Sequence, residues 1–215
     1  MKKRKIRITL SLVSFVLFVL WTVIVGSVDV MAIGPLGSSV GLAGMNGAFR
    51  DLIGVRWELY WLTDILGLVP IVLALCYAAV GAYQLIRRRS LLLVDRRILS
   101  LGALYVVFGA VFLYFELIPL NFRPVLIDGV LEASYPSSTT LMCTTVVPSF
   151  LLDVRTRVAK KWVYTLIFVV SMLFLAFTVT ARILSGVHWI SDIIGGVLIS
   201  LALLFGYSAI LGCDG

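Results

Sequence analysis

The chain contains one histidine, His188, with Arg182 six residues before it and Asp192 four residues after it. This stretch lies between two long apolar runs, and ionisable groups held beside hydrocarbon are costly enough that they usually mark function. On a helix, positions 188 and 192 would share a face, so the Asp192 carboxylate would reach one imidazole nitrogen. That contact would set the tautomer and leave the other nitrogen free to act. Two more segments carry compatible chemistry, Arg123-Pro124 and Pro136-Ser137-Ser138-Thr139. The guanidinium forks of Arg123 and Arg182 match an oxyanion in two-point geometry. If Pro136 opens a helix, the backbone N–H groups of Ser137, Ser138 and Thr139 point out of its N-terminus, where the dipole favours phosphate. A neutral His188 held by Asp192 is then a nucleophile for a phosphoryl group, forming a phospho-histidine that water hydrolyses. On this reading His188 and Asp192 are catalytic, and Arg123, Ser137, Ser138 and Arg182 bind phosphate.

The elements that must position these residues are membrane helices. Of the 215 residues 61% are hydrophobic and 13% charged, with a mean hydropathy of +1.09. That composition excludes a soluble domain, and each apolar run of about 20 residues can cross the bilayer core as a helix. The expected architecture is all-α: an integral-membrane bundle of six transmembrane helices, forming one domain over residues 1–215. The spans are read as Ile8 to Val28, Leu59 to Ile86 with a kink at Pro70, and Ile98 to Ile118. A short fourth span, Thr139 to Leu152, contains Pro148; the fifth runs from Trp162 to Thr180 and the sixth from Ile190 to Leu211. The basic patch Met1 to Arg7 resembles a signal sequence, but the apolar core behind it is too long, so a retained span is expected. Between Ile33 and Glu58 the glycines at 34, 37, 41, 44 and 47 suit either a close-packing helix face or an external loop.

The net charge of +7 does not indicate nucleic acid, because the cations sit in short clusters flanking apolar runs. The clusters at 2–7, 87–97 and 155–161 fall on one side by alternation, which makes that side, with both termini, cytoplasmic. Arg123, Arg182 and His188 then lie on the extracytoplasmic face of a plasma (inner) membrane. Cys76, Cys143 and Cys213 form neither a disulfide framework nor a metal-spacing pattern. No metal-ligand cluster stands in the sequence, so metal-free chemistry with no cofactor is expected. Glu116, Asp128 and Glu132 read as solvated charges.

These segments resemble the three signature motifs of the type-2 phosphatidic acid phosphatase superfamily of integral-membrane lipid phosphatases. The family pattern is Lys-x6-Arg-Pro, Pro-Ser-Gly-His and Ser-Arg-x5-His-x3-Asp. The third motif is matched by Arg182, His188 and Asp192, the first by Arg123-Pro124 and the second by Pro136-Ser137. The resemblance implies that His188 is the nucleophile, Asp192 orients it, and Arg123, Arg182 and Ser137 bind phosphate. Departures accompany it: Glu116 stands at the lysine position, Ser138-Thr139 at Gly-His, and Ala181 at the serine. The family's second-motif histidine protonates the leaving group, and losing a general acid costs roughly 10²–10⁴ in rate; Glu132 and Tyr135 lie near enough in sequence to offer a substitute acid. A lipid diphosphate expels a lipid monophosphate, whose second pKa is about 6, so it departs without a donated proton. The expected partner is therefore a phosphorylated lipid in the bilayer, with a polyprenyl diphosphate such as undecaprenyl diphosphate favoured. A relative that binds phosphorylated lipid without hydrolysing it is the alternative.

Overall fold

Eight helices account for most of the chain, in a computed structural model that describes residues 2–211. They are α1 (Lys2–Ser27), α2 (Ala43–Ile53), α3 (Trp57–Leu66), α4 (Leu68–Arg88), α5 (Arg96–Leu117), α6 (Ser138–Arg157), α7 (Lys161–Leu184) and α8 (Ile190–Leu211). Cys213 lies outside the described residues. Among those residues the only β pairing is three isolated antiparallel bridges in connecting loops.

Five stretches are long and apolar enough to cross a membrane: Lys2–Ser27, Trp57–Arg88, Arg96–Leu117, Lys161–Leu184 and Ile190–Leu211. Their outward faces are hydrocarbon, with Leu12, Val16, Leu20 and Val23 exposed on α1 and Leu166, Val170 and Leu173 on α7. The interior is the more polar region. Thr63, Asn121, Ser137, Asp153, Ser185, Ser191 and Asp192 are all fully buried. Apolar outside and hydrogen-bonded polar inside is the arrangement a bilayer demands, because lipid offers no partners for polar groups. The protein is a multi-pass, all-α membrane protein.

The expected fourth span coincides with α6, but α6 is not one of the five apolar stretches. It runs five residues beyond Leu152, so Asp153, Arg155 and Arg157 belong to a helix and not to a loop. Its faces are covered by protein: α6 packs against α4, α5, α7 and α8, and ten of its residues are buried, several of them Ser or Thr. Asp153 at its far end accepts from Tyr77 Oη at 2.8 Å and from Arg157 Nε at 2.7 Å.

The expected kink at Pro70 appears as a break at Gly67, between α3 and α4. Pro70 then lies in the first turn of α4, where a missing N–H costs nothing. The glycine-rich stretch is partly a helix, α2, and partly a tight connection. Gly41 is obligatory there, since a Cβ on it would lie 1.5 Å from the Val25 carbonyl oxygen. α1 and α8 pack along their lengths, with Phe18, Tyr135, Phe115, Leu141 and Ile199 forming one core cluster between them and α5 and α6.

Candidate active site

His188 is not on a helix. α7 ends at Leu184, capped by Ser185, with Gly186 next at φ +66°, the left-handed position that glycine commonly takes just past a helix C-terminus. A Cβ at Gly186 would meet the Gly54 carbonyl oxygen at 1.9 Å, and Arg56 N–H donates to the Ser185 carbonyl at 2.9 Å. The connection from α2 to α3 thus buttresses the turn that carries His188. α8 starts two residues later, and Asp192 in its first turn accepts from the Trp189 backbone N–H at 3.0 Å. Capping of this kind satisfies one of the free donors at the helix start.

The expected His–Asp approach runs through this cap and not along a helix face, and it stops short of a hydrogen bond. His188 Nδ1 stands 3.6 Å from Asp192 Oδ2. Asp192 is held from the other side by Asn121, whose Nδ2 donates to Oδ1 at 3.3 Å. Asn121 in turn accepts from Gly41 N–H at 3.1 Å. Asn46 on α2 accepts from Ser191 N–H at 3.2 Å and donates to Gly41 O at 2.7 Å. Two buried carboxamides therefore fix the α8 N-terminus and its carboxylate.

His188 Nε2 faces both arginines. Arg123 Nη1 is 3.1 Å away and Arg182 Nη2 is 3.3 Å away. Two guanidinium donors at one nitrogen require it to be the unprotonated acceptor, which leaves the proton on Nδ1, toward Asp192. Burial, and then the charges of Arg123 and Arg182, hold the imidazole well below its ordinary value, against an opposing effect of the Ser134 main chain. Arg182 is itself 1% exposed. Its Nη1 donates to Thr63 Oγ1 at 3.1 Å and its guanidinium lies 5.1 Å from the centre of the Tyr60 ring. A buried cation with so few anionic partners is ready to receive an anion.

Arg123 is carried by a short hairpin between α5 and α6. Phe122 pairs with Ala133 and Ile127 with Val130, around Asp128 and Gly129 at φ +49° and +80°. Both central residues at positive φ make the two-residue turn that Asp-Gly favours. Trp189 Nε1–H clamps the hairpin by donating to the Phe122 carbonyl at 2.6 Å. The register sets Arg123 opposite Glu132, with Arg123 N–H on the Glu132 carbonyl at 3.0 Å and the side chains paired at 2.9 Å, Nε to Oε2.

A pocket of about 220 Å³ opens over His188 and Arg123, lined also by Ser134, Ser138, Tyr135, Glu116 and Glu132, with Phe112 and Phe115 as an apolar wall. Of the six expected site residues, His188, Asp192, Arg123 and Arg182 gather around the imidazole, and Ser138, at the first position of α6, lines the pocket beside it. Ser137 is buried next to them, with its N–H donating to the Asp192 carbonyl at 3.1 Å and its hydroxyl without a partner among the described residues. Glu116 and Glu132, read from sequence as solvated charges, both line the pocket. Asn121, Asn46 and Thr63 were not singled out at all; the Asp-Gly flanked by Ile127 and Val130 was the signal that could have placed the hairpin.

With this geometry in view, three comparisons bear on the chain. No curated protein matches it. Among solved structures it is similar to the crystal structure of the first transmembrane PAP2 type phosphatidylglycerolphosphate phosphatase from Bacillus subtilis. The TM-score is 0.63 at 15% identity, covering 96% of this chain and 98% of that one, a likeness of fold. The family model of the PAP2 superfamily matches residues 71–212, the segment that contains the hairpin, the α6 N-terminus and the His188 turn. The chain belongs to the PAP2 superfamily.

Proposed function

We propose that the protein is a membrane lipid phosphatase that removes phosphate from a lipid phosphate or diphosphate through a phospho-histidine at His188. The observation that carries this reading is the convergence of two buried guanidinium groups on Nε2 of a neutral imidazole. An entering phosphate exchanges places with that nitrogen as the arginines' acceptor. Its oxygens then take the guanidinium N–H groups, the Ser138 hydroxyl and the amides at the start of α6, while Nε2 is left facing phosphorus. Stabilising charge on the equatorial oxygens is most of what phosphoryl transfer asks of a protein. As Nε2 bonds to phosphorus the ring gains positive charge, and Asp192 beside Nδ1 offsets it in the manner of a triad carboxylate.

Diphosphate lipids of the polyprenyl type are the favoured substrates, because their leaving group is itself a phosphate and needs little help to depart. Alternation of the spans and the cationic clusters at 2–7, 87–97 and 155–161 support a cytoplasmic N-terminus, six crossings and a pocket on the extracytoplasmic face of the plasma membrane. The metal-independent chemistry rests on the arginines filling the role a cation would otherwise take.

Reconstituted protein should release phosphate from dodecyl diphosphate faster than from dodecyl phosphate, with orthovanadate inhibiting both. His188→Ala should abolish release, by about 10⁴-fold or more, the scale of losing a catalytic nucleophile. Activity that survives in the His188→Ala protein removes His188 from the mechanism; a wild type that binds these lipids without hydrolysing them makes the protein a lipid-binding member of the family.

A further inference from the structure

We propose that Glu132 is the acid–base residue of this site, donating a proton to the lipid oxygen as it leaves and recovering it from the attacking water. The inference rests on the phosphatase reading above and adds a residue that the nucleophile, its aspartate and the arginines leave unfilled.

A phosphomonoester expels an alkoxide, which needs a proton as its bond to phosphorus breaks. His188 is the sole histidine, and its Nε2 is the nucleophile, so the proton must come from another group in the pocket. Apart from Arg123 and His188, five residues lining the pocket carry a proton that could serve. Tyr135 is turned away, with its hydroxyl 2.7 Å from Thr22 Oγ1 and 1% of the residue exposed. Ser134 and Ser138 are alcohols no more acidic than the leaving group they would serve. Glu116 stands at the exposed end of α5, and no contact ties it to the arginine pair. Glu132 alone is fixed against the phosphate-binding apparatus, 2.9 Å from Arg123 Nε.

Its position relative to His188 is the second observation. Arg123 presents Nη1 to His188 and Nε to Glu132, so nucleophile and carboxyl flank the same planar guanidinium. In-line displacement places the leaving oxygen opposite the nucleophile, and in the proposed complex a phosphoryl group on Arg123 takes Nε2 on one side and the Glu132 carboxyl on the other. The hairpin register keeps Glu132 beside Arg123, whose N–H bonds the Glu132 carbonyl. The Glu132 side chain is 39% exposed; a phosphate that takes its place on Arg123 sets negative charge beside it, which favours the protonated carboxyl, and water supplies that proton before transfer.

The step balances as follows. The Nε2–P bond forms while the P–O bond to the lipid breaks; the electron pair goes to the lipid oxygen, which takes the Glu132 proton. In the second half, the Glu132 carboxylate takes a proton from water as the water oxygen bonds phosphorus and the Nε2–P bond breaks. Inorganic phosphate leaves, and His188 and Glu132 return to their starting protonation.

The test compares kcat/KM, which reports transfer to His188 and not the hydrolysis that both lipids share, for dodecyl phosphate and dodecyl diphosphate in wild type, Glu132→Gln and Glu132→Asp. Glutamine keeps the shape and an oxygen for Arg123 but cannot donate as an acid. Glu132→Gln should raise the diphosphate-to-monophosphate kcat/KM ratio by about 100-fold or more, the scale of general-acid catalysis, and Glu132→Asp should recover part of it. Equal losses of kcat/KM on both lipids would overturn the proposal and leave Glu132 as a partner that positions Arg123. A wild type inactive on both would overturn the phosphatase reading, and this inference with it.

Discussion

At the scale of single residues, the site is built so that one imidazole stays neutral. Burial, Arg123 and Arg182 all disfavour its protonated form, and a nucleophile at Nε2 needs that form absent. Because the folded value lies below the ordinary 6.5 or so, the native state binds fewer protons than the unfolded chain as pH falls through that value. Stability from this group is present above it and is lost as the medium acidifies. The sole histidine makes the point measurable without assignment. In tag-free protein, the single imidazole Cε1–H resonance should stay at its neutral position as pH falls through 6.5, and Arg123→Ala should move its midpoint upward. A wild-type midpoint at or above 6.5 would contradict the arrangement. Asn121 acts through Asp192, so Asn121→Ala should lower kcat more than it raises KM. It should also destabilise by about 1–3 kcal/mol, the usual cost of orphaning buried polar partners, read as a drop in Tm.

At the scale of elements, the three site segments were legible in the sequence because their residue types are rare in an apolar chain. His188, Arg123 and Arg182 each broke a local rule. Their relative placement was less legible. His188 was read onto a helix, yet Ser185-Gly186 is a helix-stop signal, and Gly186 sits left-handed against Gly54. Asn121 and Asn46 gave no signal by type, since polar residues in loops are ordinarily solvated, and Glu132 was marked only by its nearness in sequence; a hairpin register and a buried loop bring them to the site. Ser137 sits at its motif position with its backbone tied to Asp192 and Leu141, while its buried hydroxyl is left without a partner among the described residues. Gly186→Ala tests how far the turn governs the chemistry. A methyl there has no room, and the left-handed backbone adds roughly 1–2 kcal/mol. Phosphate release should therefore fall at least tenfold while the helical circular dichroism is retained. Wild-type activity in that variant would mean the turn tolerates displacement.

At the scale of the whole molecule, hydropathy found the lipid-facing helices and understated the central one. Five stretches announce themselves because their outward faces meet hydrocarbon. α6 has no such obligation. Thr139, Thr140, Thr145, Ser149 and Asp153 are all buried within the protein, bonded in part to neighbours, as Thr145 is to Ser200 at 3.0 Å. The helix that presents its N-terminus to the pocket over His188 is therefore solvated by protein.

That has a consequence for how the chain is made. A helix too polar to partition into lipid by itself cannot be released from the insertion machinery one segment at a time, whereas α1, α5, α7 and α8 can. α6 must wait at the channel until α7 and α8 arrive to cover it, so assembly of the pocket and integration of α6 become a single event. In a glycosylation-mapping reporter, the α6 segment alone should fail to integrate and should do so once α7 and α8 follow it. Autonomous integration of α6 would show that its own side chains suffice. On this account, substitutions that weaken the α6–α8 contact, such as a bulky residue at Ser200, reduce the yield of inserted protein before they reduce the activity of the molecules that form.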